Sequence, residues 1–223
     1  MRNDLAYIGF IIDRSGSMAT LMADAIGGFN TFVEAQKKLP GDALLSLVTF
    51  DDKYELVHDA VALKDVPVLT PEKCFARGST ALFDAVGKLV SSMGANLAAM
   101  PEETRPGKVI LVITTDGEEN CSREYTQQQI KTMLEHQQKK YAWEVHFFAA
   151  NQDAFAAGAR IGVAHRNNHN YAGTARGVQA AYSVMTHSVA SSRTGGHDAG
   201  IQAALNASLV ANQAAIDAIN SKP

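Results

Sequence analysis

The stretch LAYIGFIIDRSGS, residues 5–17, decides the fold. Leu5 to Ile12 form an apolar run unbroken by charge, as expected of a central strand covered on both faces. The run stops at Asp13-Arg14-Ser15-Gly16-Ser17, a polar cluster at the strand's carboxyl end. A second run of this kind, Val109–Thr115, meets a second polar cluster, Thr115-Asp116-Gly117-Glu118-Glu119-Asn120.

Helical patterns separate the strands. Met22, Ile26, Phe29 and Val33 share one face of a helix expected from about Ala19 to Lys38, ended by Pro40-Gly41. Leu44–Phe50 and Tyr54–Leu63 read as strands whose short connection, Asp51-Asp52-Lys53, makes them antiparallel. After the loop Phe75–Thr80 comes a helix with Leu82, Val86, Leu89 and Met93 on one face, and Ala95–Pro106 reads as loop. Thr126 with Gln129 forms a capping-box pattern before a helix reaching about Lys140. Trp143–Ala150 is the fifth strand, Ala154–Arg160 a short helix and Gly162–Arg166 a short sixth strand. Gly173–Ser191 is helical, with Val178, Tyr182, Met185 and Val189 in register.

Strands alternating with helices predict an α/β, Rossmann-like, doubly wound fold. The sheet is expected to be mostly parallel and six-stranded, with one antiparallel edge strand and helices on both faces. The domain is expected over residues 1–190. Ser191–Gly200 reads as a flexible linker, and Ile201, Leu205, Leu209, Ile216 and Ile219 lie at helical spacing in a tail ending at residue 223. That tail helix is expected to dock on its own domain, with a partner chain as the rival.

Composition narrows the function. Twenty basic and 23 acidic residues give a net charge of −3, with no basic excess for nucleic acid. No apolar window reaches the length of a membrane span, and the N-terminus carries no secretory pattern. The expectation is a cytoplasmic protein. Cys74 and Cys121 are too few for a disulfide framework or a zinc ribbon and read as free thiols near the polar rim. His165 and His169, four apart, read as surface loop, and Trp143 as packing.

In a parallel sheet the residues past the carboxyl ends of the strands gather at one rim. If the first and fourth strands are neighbours, Asp13 and Asp116 meet there, and the loop carrying Thr80 closes over them. Two carboxylates and the hydroxyls of Ser15, Ser17 and Thr80 suit a small hard cation such as Mg²⁺, with Mn²⁺ or Ca²⁺ as alternatives. No histidine or cysteine belongs to the set, which disfavours zinc and copper.

Three motifs in order, Asp13-x-Ser15-x-Ser17, Gly78-x-Thr80-Ala81-Leu82-x-Asp84-Ala85 and Thr115-Asp116-Gly117-Glu118-Glu119-Asn120, resemble the von Willebrand factor A domain with an intact metal-ion-dependent adhesion site. The resemblance covers residues 5–190 and is similar to small cytoplasmic members from bacteria and phages. It implies that Ser15, Ser17 and Thr80 bind the metal through their hydroxyls, while Asp13 and Asp116 hold it mainly through waters. It also implies a partner protein that supplies an Asp or Glu carboxylate to the cation. Asp84 matches a recurrent family acid with a hydrogen-bonding support role. Glu118 and Glu119 read as rim charges, and Thr80 also reads as a helix N-cap.

Two other classes stay open. A Mg²⁺-dependent phosphatase of the haloacid dehalogenase type also places an Asp after its first strand, but needs a second Asp where Ser15 stands. Neither a P-loop nor a hydrolase elbow occurs. The other class is a structural component of a larger assembly, beside an AAA+ ATPase or within a phage virion, in which case the protein is virion-associated.

Overall fold

Strand β1 spans Arg2–Asp13 and is the third strand of a six-stranded sheet. The computed structural model describes residues 1–150 and 153–195. The other strands are β2 (Asp42–Phe50), β3 (Tyr54–Ala62), β4 (Pro106–Thr115), β5 (Glu144–Ala150) and β6 (Asn168–Tyr171). Their order is β3-β2-β1-β4-β5-β6. Every pairing is parallel except β2 with β3, the expected antiparallel edge. The neighbours β1 and β4 mark the point where the chain reverses its direction of winding, which opens a crevice at their carboxyl ends.

Among the described residues five α-helices cover the sheet: α1 (Met22–Lys37), α2 (Leu82–Ala99), α3 (Gln127–Tyr141), α4 (Ala154–Arg160) and α5 (Ala175–Thr194). Alternate residues of β1 serve opposite faces, as a two-residue period requires. Ile8, Phe10 and Ile12 enter a core shared with α1 and α5, where the Phe10 ring lies 5.2 Å from Phe29 and 5.1 Å from Phe32. Tyr7 and Ile11 enter the other, shared with α2, α3 and α4. Each fully buried side chain of this size contributes about 1.5–3 kcal/mol, so the apolar run of β1 stabilises both layers. Gly9 is glycine because Met93 of α2 occupies the space of a β-carbon.

The capping box at Thr126 and Gln129 forms as expected, as does the apolar face of each long helix. Other expectations need correction. Helix α1 starts at Met22, after a 3-10 turn over Gly16–Thr20. Helix α2 continues through Ala99 because Ala95-Asn96-Leu97-Ala98-Ala99 contains good helix formers and no proline precedes Pro101. The sixth strand is Asn168–Tyr171, whereas Gly162, at φ +83°, closes α4 in a left-handed turn. His169 therefore lies buried on an edge strand, stacked 4.4 Å from Phe148, and burial pushes its imidazole down to about 4. Cys74 is a free thiol, as expected, buried in the core with its Sγ 3.4 Å from Met22 Sδ. Helix α5 extends to Thr194; the expected tail helix lies outside the described residues.

Candidate metal centre

Pairing with β2 continues past the end of β1, where the Arg14 amide donates to the Phe50 carbonyl. The Arg14 carbonyl then accepts from the Arg77 amide, and the Gly16 amide donates to the Gly78 carbonyl at 3.1 Å. The second motif is thereby laid alongside the first. Gly78 makes this approach possible at φ +67°, with the Asp52 carboxylate where a β-carbon would stand.

Buried charge supports the two loops from behind. Arg14, 1% exposed, donates to Asp51 at 3.1 Å and to Glu55 at 2.7 Å, and Arg77 donates to the same Asp51 oxygen at 2.5 Å. Burial alone would raise the Asp51 carboxyl, but the Arg77 hydrogen bond, the Lys53 amide and the charges of both arginines outweigh it and hold it low. Such a pair is costly to break, because removing one member leaves a charge buried and unpaired.

The third motif locks onto the second. Helix α2 has no side-chain cap: Ala81, not Thr80, is its N-cap residue. Its orphan amides are satisfied from the other loop, Phe83 donating to Glu119 Oε2 at 2.9 Å and Asp84 to Ser122 Oγ at 3.1 Å. Glu119 also accepts from the amides of Cys121 and Ser122. It is a loop anchor and not the rim charge expected; Glu118 is exposed. Asp84 accepts from the amides of Arg123, Glu124 and Tyr125, which is the support role expected of it.

The expected ligands converge inside this frame. Asp13 is fully buried; its Oδ1 accepts from the Ser15 amide at 2.7 Å and its Oδ2 from the Thr115 hydroxyl at 2.6 Å. Ser17 Oγ lies 3.0 Å from Ser15 Oγ and donates to Asp116 Oδ1 at 2.6 Å. Thr80 completes the ring. A β-carbon on Gly117 would stand 3.3 Å from Thr80 Oγ1, 3.5 Å from Ser17 Oγ and 4.0 Å from Ser15 Oγ. The three hydroxyls thus all lie within 4.0 Å of one point, which a glycine leaves free of side chain.

Burial pushes the Asp13 carboxyl up to about 6, against its bonds from Thr115 and Ser15, and Asp116 adds repulsion. Burial likewise raises Asp116, against the bond from Ser17. Two acids raised together at a ring of hydroxyls fit a hard divalent cation, whose charge would offset the cost of ionising both. Among the described residues no cluster of three histidine, cysteine or carboxylate side chains offers a competing metal site.

Sequence reasoning missed Arg14, Arg77, Asp51 and Tyr171. Tyr171 is buried on β6, and its hydroxyl donates to the Thr115 carbonyl at 3.1 Å. Its isolated place in a short polar strand gave no signal. Glu119 and Asn120 were visible only as members of the third motif.

No protein-family model and no curated protein sequence matches the chain. Solved structures do. Proximal thread matrix protein 1 from the mussel byssus, with a zinc-occupied MIDAS motif, matches at 15% identity and TM-score 0.58 over 83% of this chain and 46% of that one. The von Willebrand factor type A protein from Catenulispora acidiphila matches at 12% identity and TM-score 0.54, over 81% and 41%. The vWF domain of the type V pili tip protein Mfa5 from Porphyromonas gingivalis matches at 11% identity and TM-score 0.57, over 82% and 94%. The chain spans less than half the length of the first solved structures it matches. With its sheet order and switch point, these likenesses establish that the chain has the von Willebrand factor A fold.

Proposed function

We propose that the chain is a divalent-cation-dependent protein-binding module. In this reading Ser15, Ser17 and Thr80 hold the cation through their hydroxyls, while Asp13 and Asp116 balance its charge from behind. The observation that carries it is the convergence of the three hydroxyls on the space at Gly117, with a carboxylate on each flanking strand end. Neutral hydroxyl ligands would leave a bound cation electrophilic, with room for an anionic ligand from outside. That ligand would be an Asp or Glu carboxylate of a partner protein.

We favour Mg²⁺, with Mn²⁺ or Ca²⁺ as substitutes, because the donors are hard oxygens. The zinc-occupied motif of the mussel protein supports divalent-cation binding in general. The described residues contain no helix long and apolar enough to cross a membrane. A binding role is favoured over hydrolysis because Ser15 stands where a phosphatase needs its acid and base.

Affinity capture from a lysate of the source cell, with and without EDTA, tests the reading. Partners should be retained with Mg²⁺, released by EDTA and absent with the Asp13→Ala protein. Capture that ignores EDTA would contradict it. Robust Mg²⁺-dependent hydrolysis of phosphate esters, abolished in Asp13→Asn, would favour the phosphatase reading instead.

A further inference from the structure

Tyr171 stands on the sheet's far edge strand, yet its hydroxyl reaches across β5 to the last carbonyl of β4. The register explains the reach. Thr115 pairs with Ala149 and Tyr171 with Ala150, so the intervening strand carries only methyl groups at that level. The tyrosine is 4% exposed, and burial raises its phenol well above the usual value, so it is a permanent donor.

The acceptor is well placed to matter. The Thr115 carbonyl belongs to the peptide that leads into Asp116. The Thr115 hydroxyl donates to Asp13 Oδ2 at 2.6 Å and accepts from the Gly117 amide at 3.2 Å. Thr115 therefore touches both carboxylate loops, and the Tyr171 hydroxyl fixes the plane of the peptide that aims Asp116. Resting on the metal-site reading above, we infer that Tyr171 is a positioning residue for the cation, acting through the Thr115–Asp116 peptide. Strand β6 is thereby coupled to the site: an interaction that favours the metal-binding geometry is favoured in turn by the metal.

The test uses Tyr171→Phe, which removes one oxygen and keeps the ring. Tyr182→Phe is its control, since Tyr182 is another buried tyrosine, in the same core, whose phenol contacts no expected ligand. Mn²⁺ binding to the full chain is measured by calorimetry, and amide exchange of β6 is followed with and without Mn²⁺. The inference predicts that Tyr171→Phe folds, binds Mn²⁺ about fivefold or more weakly, and loses the metal-induced protection of β6 seen in wild type. Tyr182→Phe should match wild type in both. Should Tyr171→Phe fail to fold, the wild-type exchange decides: protection of β6 by Mn²⁺ supports the coupling and its absence overturns it. Equal affinity in wild type and a folded Tyr171→Phe would overturn the inference while leaving the site intact. Absence of Mn²⁺ binding in wild type would overturn the site reading itself.

Discussion

The Thr80 amide donates to Asn120 Oδ1 at 3.0 Å, and the Asn120 amide returns a 3.0 Å bond to the Thr80 carbonyl. This reciprocal pair closes the third motif onto the second and sets where the Thr80 hydroxyl stands. Asn120→Ala keeps one of the two bonds and frees the Thr80 amide. It should lower metal affinity by a factor of about ten, in line with about 1–3 kcal/mol for an unsatisfied buried donor. Titration calorimetry with Mn²⁺ checks this, and an unchanged affinity would show that the pair does not position Thr80.

Gly117→Ala is a sharper probe of the site. A β-carbon there would fill the space between the three hydroxyls, 3.3 Å from Thr80 Oγ1, at a backbone conformation that alanine tolerates. Metal binding should be lost while the thermal midpoint of the metal-free protein changes by only a few degrees. A variant that binds metal as wild type does would place the cation elsewhere.

The Asp13 carboxyl, raised to about 6 by burial, fixes the sign of a pH effect. An unfolded chain protonates this group near 4, so between about pH 4 and 6 the folded state holds the extra proton. Ionised Asp13 thus costs stability above pH 6, and the cost fades as the pH falls toward 4. In metal-free protein, Asp13→Asn should be the more stable form at pH 8, by about 3 kcal/mol, and the difference should close near pH 4. Mg²⁺ should reverse the order at pH 8 by stabilising wild type alone. Thermal melts across pH with EDTA or Mg²⁺ read both effects.

Glu119 carries four hydrogen bonds, from the amides of Phe83, Cys121 and Ser122 and from the Ser122 hydroxyl. Glu119→Ala should cost about 2–4 kcal/mol in urea unfolding, several bonds to a charged acceptor being lost at once. Glu118→Ala, at an exposed position, should be nearly neutral. Similar effects from the two would return Glu119 to the solvated rim.

The contrast between these glutamates shows what the sequence made legible. Asp13, Ser15, Ser17, Thr80 and Asp116 were readable because each follows a strand or opens a helix, and parallel strands deliver such residues to one rim. The two unbroken apolar runs marked the central strands, but that β1 and β4 are neighbours stood only as a condition until the sheet order met it. The supports were hidden because they act across long chain distances. Glu119 meets the start of α2, Arg14 meets Asp51, and Tyr171 meets Thr115 over a whole strand. Each is a tertiary contact with no local pattern. The sixth strand was displaced for a related reason: Gly162-Val163 looked strand-like, yet its backbone closes α4, with Val163 donating to the Gly158 carbonyl.

Asp13, Ser15, Ser17, Thr80 and Asp116 are proposed to hold one divalent cation together. Calorimetric titration of Mg²⁺ and Mn²⁺ into wild type and Asp13→Ala decides this. One saturable site per chain is expected in wild type and none in Asp13→Ala. Equal binding by both proteins, or no binding by wild type, would contradict it.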